Sequence, residues 1–95
     1  MKLVVSPAAI ADLARLHVFL ADKSEIAADR AVAALTAAIE SLDTFPERGR
    51  PAGSPNKREL IVPFGQSNYV LRYAYLAQTE EVIVFRIWHG REERE

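Results

Sequence analysis

Apolar positions change their spacing once along the chain, from a helical period to a period of two. Residues 2–5 form a short apolar stretch rich in β-branched side chains, which predicts a strand. Between residues 7 and 44, apolar side chains recur every three or four positions, which predicts two helices. From residue 58 to residue 89 they alternate, which predicts three more strands. The predicted order is therefore β-α-α-β-β-β.

Each predicted helix starts at a serine that can cap it. Ser6 precedes Pro7, whose missing N–H costs nothing in a first helical turn, and this helix is expected to run to about Asp22. Ser24 is expected to cap a second helix that reaches about Thr44. The apolar stripe of the first comprises Ile10, Leu13, Leu16, His17, Phe19 and Leu20, and that of the second comprises Ala28, Val32, Leu35, Ile39 and Leu42.

The short turn between the helices favours an antiparallel hairpin, although the second stripe would also suit a coiled coil. Prolines and glycines between residues 46 and 55 predict a loop. The strands that follow are expected at residues 58–64, 68–77 and 82–89. We therefore predict one α+β domain over residues 1–95, in which the hairpin covers one face of a mostly antiparallel four-stranded sheet.

Pairing of the last two strands through the turn at residues 78–81 would place Tyr73 opposite Arg86 and Leu71 opposite Trp88. One face would then carry Leu71, Tyr73, Tyr75, Val84, Arg86 and Trp88, and the other Val70, Arg72, Ala74, Leu76, Ile83, Phe85, Ile87 and His89. The second face is more aliphatic and is expected under the helices, which leaves the aromatic face for a partner. Alternatively, the aromatic face is a second hydrophobic layer stabilised by a cation–π contact between Tyr73 and Arg86.

Composition excludes several classes of protein. The chain has no cysteine, so disulfides, thiolate nucleophiles and cysteine metal sites are excluded. Its apolar runs are too short to cross a bilayer and we see no signal peptide, so a cytoplasmic protein is expected. The net charge is only −1, but residues 46–75 hold five basic residues against two acidic ones. Such a patch is either a solvated loop or a modest footprint for RNA, DNA or an acidic partner.

Few residues suggest chemistry. The sequence contains no pattern of metal ligands and no phosphate-binding loop, so neither a metal nor another cofactor is expected. His89 ends the last strand beside Gly90 and Arg91, where an imidazole can transfer a proton or make a structural hydrogen bond.

Four segments resemble the RelE/ParE toxins: the opening strand followed by Ser6-Pro7-Ala8-Ala9, and residues 45–51, 69–73 and 84–91. The resemblance covers nearly the whole chain. It implies the toxin of a type II toxin–antitoxin pair, of the plasmid-stabilisation type, that a cognate antitoxin neutralises by folding across its exposed sheet surface.

The resemblance allows two activities. RelE-like toxins are metal-free endoribonucleases that cut mRNA on the ribosome; here Arg72 and Arg91 would hold the phosphate and His89 would transfer a proton. Such toxins commonly place an arginine after the middle-strand tyrosine and a tyrosine near the C-terminus. This chain has Val70 at the first position and no tyrosine after Tyr75.

ParE-like toxins instead poison DNA gyrase by binding it and are not enzymes in that role. The Phe-Pro-Glu-Arg-Gly-Arg loop and the His-Gly-Arg ending favour this branch. The residues that would bind the target or the antitoxin are then Arg48, Arg50, Tyr73, Tyr75, Arg86, Trp88 and Arg91. A third hypothesis is a degenerate member that only binds its antitoxin.

Overall fold

The structure, a computed structural model, describes residues 1–92. Two helices follow the first strand and four further strands complete the fold. The elements are β1 (Lys2–Val5), α1 (Pro7–Ala21), α2 (Glu25–Ser41), β2 (Arg50–Ala52), β3 (Ser54–Phe64), β4 (Ser67–Leu76) and β5 (Glu81–His89). The α+β class and the order of the predicted elements are confirmed.

The sheet has five strands in the order β1-β5-β4-β3-β2, rather than the four that the sequence predicts. β1 runs parallel to β5 and the other pairs are antiparallel. The additional strand β2 lies within the predicted loop, where Arg50 pairs with Glu59 and Pro51 with Arg58. Proline is tolerated in a strand at the edge of a sheet, because the missing N–H there need not complete a ladder. The same pairing extends the start of β3 to Ser54, four residues before the predicted Arg58.

Both predicted caps are present. The Ser6 hydroxyl accepts a hydrogen bond from the Ala9 amide at 3.1 Å, and the Ser24 hydroxyl accepts one from the Ala27 amide at 3.2 Å. α2 ends at Ser41, three residues before the predicted Thr44. There the chain tightens into bonds between residues three apart, such as that from the Thr44 amide to the Ser41 carbonyl at 3.2 Å, and such turns commonly end a helix.

The helices bury different parts of their predicted stripes. α2 buries most of its stripe and adds small residues to it: Ala28, Ala31, Leu35, Ala38 and Ile39 are buried, as is the capping residue Leu42. α1 is rotated relative to the prediction: Ala9, Asp12 and Leu16 are buried, whereas Ile10 and Phe19 are more than half exposed. The prediction failed here because Asp12 lies at the centre of the buried face, and a prediction from apolar spacing alone places no carboxylate there.

The helices cover the aromatic face of the sheet, so the predicted assignment of the faces was wrong. The core beneath them contains Leu60, Val62, Tyr69, Leu71, Tyr73, Val82, Val84 and Ile87. A bulge in β5 explains the error: Tyr73 pairs with Val84 but Arg72 pairs with Arg86, so Phe85 lies opposite no residue of β4. The extra residue moves the part of β5 after Phe85 to the face opposite to the predicted one, and Ile87 therefore joins the face of Leu71. The predicted pairs Tyr73–Arg86 and Leu71–Trp88 do not form; Trp88 pairs with Val70.

Candidate functional site

Asp12 joins α1 to the bulge of β5. Its carboxylate accepts hydrogen bonds from the Ile87 amide at 2.8 Å and from Arg86 Nε at 2.8 Å. Arg86 Nη2 at 3.3 Å and Arg15 Nη2 at 3.5 Å add weaker contacts. Burial on its own would raise the pKa of Asp12, but the hydrogen bonds from Arg86 and Ile87 and the positive charge of Arg86 outweigh it and lower the pKa. Asp12 is therefore a buried, ionised carboxylate that fixes the helix to the strand.

A second carboxylate lies at the end of β5. Glu92 Oε2 accepts a hydrogen bond from Arg15 Nη1 at 2.6 Å, and its Oε1 accepts one from the His89 amide at 2.8 Å. The His89 ring lies edge-on to the Tyr69 ring at 5.4 Å, and its Nδ1 accepts a hydrogen bond from the Arg91 amide at 3.1 Å. The imidazole therefore makes a structural hydrogen bond through Nδ1.

These residues line a cleft of about 700 Å³ between the second half of α1 and the paired ends of β4 and β5. Its walls are Arg15, Leu16, Phe19, Leu20, Lys23, Ser67, Tyr69, His89, Arg91 and Glu92. Aliphatic and aromatic side chains form half of the lining, and basic side chains stand at its edge. The cleft suits a ligand that is both apolar and acidic.

Arg72 lies on the opposite face of the sheet from His89, where it pairs with Glu59 of β3 and Arg86 of β5. Its guanidinium donates to Glu59 Oε2 from Nη2 at 2.6 Å and from Nε at 3.1 Å. It also lies over the Trp88 ring, at 4.8 Å from the centroid. The structure thus brings together two of the three residues predicted for catalysis, His89 and Arg91, and separates Arg72 from them.

The loop at residues 45–50, which ends at the first residue of β2, is held by the side chain of Tyr73. The buried Tyr73 hydroxyl donates to the Pro46 carbonyl and accepts from the Gly49 amide, both at 2.8 Å. Glycine is required at position 49, because a β-carbon there would lie 2.8 Å from the Tyr73 ring and from the Glu59 carbonyl. Burial raises the pKa of Tyr73, so the phenol remains neutral and able to donate. Tyr73 therefore shapes this loop from inside the core rather than contacting a partner.

The loop presents positive charge to solvent. Arg48 is exposed and donates from Nη1 to the Ser41 hydroxyl at 2.7 Å. The Arg50 side chain is 69% exposed and lies 3.6 Å from Glu59. Arg58 Nη1 donates to the Gly49 carbonyl at 2.6 Å and so stabilises the loop from β3. Phe45 is 63% exposed beside these cations.

The remaining residues predicted to bind a partner are distributed over several places. Tyr75 is half-buried against the core and Trp88 is 4% exposed, so they form no common aromatic surface. Arg86 is exposed but is bound to Asp12. Arg91 is exposed at the cleft. Sequence reasoning missed Asp12, Arg15, Tyr69 and Glu92; a charged residue inside the stripe of α1 was the one available signal for Asp12.

We expect Tyr73→Phe to lower the free energy of unfolding by about 1–2 kcal/mol, because the buried Gly49 amide and Pro46 carbonyl lose their shared partner. Hydrogen exchange at the Gly49 amide should accelerate by more than the change in global stability accounts for. Tyr75→Phe is the matched control, since its hydroxyl bonds to no residue in the described part of the chain. Equal protection of Gly49 in both variants would show that Tyr73 does not hold the loop.

Within residues 1–92, no group of histidine, aspartate or glutamate side chains is arranged to hold a metal ion.

The helices over the same residues include none with the length and apolar character needed to cross a membrane.

Comparison with known proteins identifies the family. The profile of the ParE toxin of type II toxin–antitoxin systems, parDE, matches residues 3–94. Toxin RelE1 of Caulobacter vibrioides is 47% identical over 91 residues, which cover 96% of this chain and 95% of the relative. Toxin RelE3 of the same organism is 37% identical over 90 residues, which cover 95% of each chain.

The fold is shared with a solved structure described as the chromosomal ParDE TA system from P. aeruginosa. The TM-score is 0.76 at 21% identity, over 94% of this chain and 95% of that one. The resemblance to the RelE/ParE toxins is thus confirmed by sequence and by fold. The chain belongs to the ParE toxin family, within the RelE/ParE toxins of type II toxin–antitoxin systems, and this membership implies a cognate antitoxin as its partner.

Proposed function

We propose that this toxin acts in the cytoplasm by binding a protein, DNA gyrase, and that it is not a ribonuclease. The observation that supports the proposal is the separation of Arg72 from His89. Metal-free cleavage of RNA requires a base, an acid and phosphate-binding cations around one phosphodiester. Here the side chains of His89 and Arg72 lie on opposite faces of the sheet, and Glu59 already neutralises Arg72.

A binding function agrees with the surface of the loop at residues 45–50. Phe45 supplies an exposed aromatic side chain, and Arg48 and Arg50 supply exposed cations within five residues of it. Aromatic and arginine side chains are the residue types most often responsible for affinity at protein interfaces. Because Tyr73, Arg58 and Ser41 fix the loop, it loses little conformational entropy on binding.

The experiment compares two purified reactions: supercoiling of relaxed plasmid by DNA gyrase, and translation of a defined mRNA by ribosomes with mapping of mRNA ends. The proposal expects inhibition or DNA cleavage in the first reaction and intact mRNA in the second. Ribosome-dependent cuts in the mRNA with unaffected gyrase would overturn it. Activity in neither reaction, with retained antitoxin binding, would indicate a degenerate member.

We expect His89→Ala to change toxicity by no more than about twofold, since its imidazole makes a local hydrogen bond to the Arg91 amide. Loss of a general acid or base would instead slow cleavage by about 10²–10⁴. The measurement is growth after controlled induction, with toxin levels quantified by immunoblot. A loss of toxicity at equal protein level would favour a ribonuclease.

We expect Arg48→Glu or Arg50→Glu to weaken inhibition of gyrase by about tenfold, because each reverses a charge at the proposed contact. Arg91→Glu tests the cleft in the same assay. Arg30→Glu is the matched control, because Arg30 is exposed on α2 and lies outside the loop and the cleft. Equal inhibition by all four variants would place the target surface elsewhere.

The ribonuclease remains the second candidate because of the cleft itself. His89, Arg91 and Arg15 line one concave site above the buried Tyr69, and this site offers an imidazole and two cations to a substrate. The relatives from Caulobacter vibrioides also carry the name RelE. The two reactions described above separate this candidate from the gyrase poison.

A further inference from the structure

The side chain of Glu92 occupies a site that binds its carboxylate with two hydrogen-bond donors. Both of its oxygens are bound, one by Arg15 Nη1 at 2.6 Å and the other by the His89 amide at 2.8 Å. Glu92 follows the last described strand by three residues, and its side chain remains 32% exposed. The free toxin therefore holds one of its own acidic side chains at the mouth of the cleft.

The groups that bind this carboxylate are fixed by other contacts. Arg15 Nη2 also lies 3.4 Å from the Ile87 carbonyl and 3.5 Å from Asp12 Oδ1, so β5 and α1 both orient the guanidinium. The His89 amide is placed by pairing of His89 with Tyr69 and by the bond from the Gly90 amide to the Asn68 carbonyl at 2.8 Å. A different carboxylate would thus meet a preorganised site.

The adjoining cleft determines which type of side chain can bind next to the carboxylate. Leu16, Phe19 and Leu20 form an apolar wall, and Phe19 is 58% exposed. Lys23 and Arg91 stand at the edge, and neither forms a salt bridge with a residue in the range 1–92. The complement to this surface is an acidic side chain close to an apolar one.

A peptide fits this site better than a nucleic acid. The group now bound is a carboxylate, and the wall beside it is mostly aliphatic. Lys23 Nζ lies 5.1 Å above the centroid of the Phe19 ring, on a face that a base would need for stacking. Family membership supplies one protein partner, the antitoxin.

We propose that Glu92 is an internal competitor for the antitoxin: an acidic side chain of the cognate antitoxin replaces it between Arg15 and the His89 amide. A neighbouring apolar side chain of the antitoxin then fills the cleft against Leu16, Phe19 and Leu20. The inference rests on the toxin–antitoxin assignment in the proposed function and not on gyrase as the target. Failure in the gyrase assay and failure in the antitoxin assay are therefore separate results.

The test is a double-mutant cycle on the affinity of the full toxin for its full cognate antitoxin, measured by titration calorimetry. Glu92→Gln should tighten binding by about two- to fivefold, since an exposed ion pair is worth up to about 1 kcal/mol. Arg15→Gln should weaken it by about tenfold or more, because a charge-assisted hydrogen bond to the antitoxin is lost. In the Arg15→Gln background, Glu92→Gln should give no gain, because the two residues act on one site.

Arg30→Gln, outside the cleft, is the control for loss of charge and should leave the affinity unchanged. Arg91→Gln is a second variant in case Arg15→Gln does not fold. The Arg91 side chain makes no hydrogen bond to a residue in the described range, so its loss should leave the fold intact. Arg91→Gln should also weaken binding of the antitoxin. Unchanged or weaker binding by Glu92→Gln would overturn the proposal. A second result would also overturn it: a short fluorescein-labelled single-stranded RNA binds the toxin and loses affinity on Arg15→Gln, whereas neither Arg15→Gln nor Glu92→Gln changes the affinity for the antitoxin.

Discussion

Leu35→Asp is expected to leave the domain unfolded at neutral pH. Leu35 lies at the middle of α2, is fully buried and belongs to the core shared with β3, β4 and β5. An unpaired carboxylate at such a position costs several kcal/mol in addition to the lost packing. A domain of this size is stable by only about 5–10 kcal/mol. Ile39→Asp, one turn further along the same buried face, should have the same result.

The control is Thr36→Asp, which places the same side chain on the exposed side of the same helix. Circular dichroism against temperature should show a cooperative transition for Thr36→Asp and none for Leu35→Asp. A melting temperature of Leu35→Asp equal to that of the unaltered chain would mean that α2 does not pack as described.

Asp12→Ala is expected to lower the free energy of unfolding by about 2–4 kcal/mol at pH 7. The substitution leaves the buried Ile87 amide without its acceptor and removes a carboxylate that is 5% exposed. Asp29→Ala is the matched control: Asp29 also pairs across the helical hairpin, with His17 at 2.8 Å, but its side chain is 76% exposed. Its loss should cost less than about 0.5 kcal/mol in urea titrations.

The pH dependence distinguishes the charge of Asp12 from its packing. The folded-state pKa is lowered below the ordinary value of 3.8, so the unfolded chain takes up the proton first as the pH falls. The contribution of the ionised carboxylate is therefore complete well above pH 3.8 and is lost below it. The difference in stability between the unaltered chain and Asp12→Ala should be constant from pH 7 to about pH 5 and shrink in more acidic solution. A difference that does not change with pH would assign the whole effect to packing.

The helices could be predicted because their signals are local. The hydroxyls of Ser6 and Ser24 each cap the amide of the residue three positions later. The spacing of the apolar residues within α2 indicates which face of the helix is buried. The strands could be placed for a similar reason, since alternation is a property of each segment. β2 could not be predicted, because three residues containing Pro51 form a strand only by pairing with β3.

The faces of the sheet could not be predicted because one residue decides them. Up to Val84, strict alternation gives the observed face, and the unpaired Phe85 then reverses it for Ile87 and His89. No sequence feature of residues 84–87 predicts the bulge. It is held by partners far away in sequence: the Ser6 hydroxyl donates to the Phe85 carbonyl at 3.1 Å, and Asp12 accepts from the Ile87 amide.

The candidate site was partly predicted. Of the three residues predicted for catalysis, His89 and Arg91 lie together in the cleft. Arg15 and Glu92 were missed because they are 77 residues apart and each is unremarkable alone. Strict alternation placed Arg72 on the same face as His89, and the bulge between them makes that placement wrong.

The position of β5 in the sheet has a consequence for biosynthesis. β5 is the last strand along the described chain, yet it lies between β1 and β4, and both Ser6 and Asp12 bond to it. A nascent chain that ends before residue 81 has no strand to join β1 to β4, and it lacks Arg86 and the Ile87 amide, which make the shortest hydrogen bonds to the Asp12 carboxylate. The domain therefore cannot complete its fold until residue 89 has left the ribosome, so an antitoxin that is already present can meet the chain before it has folded.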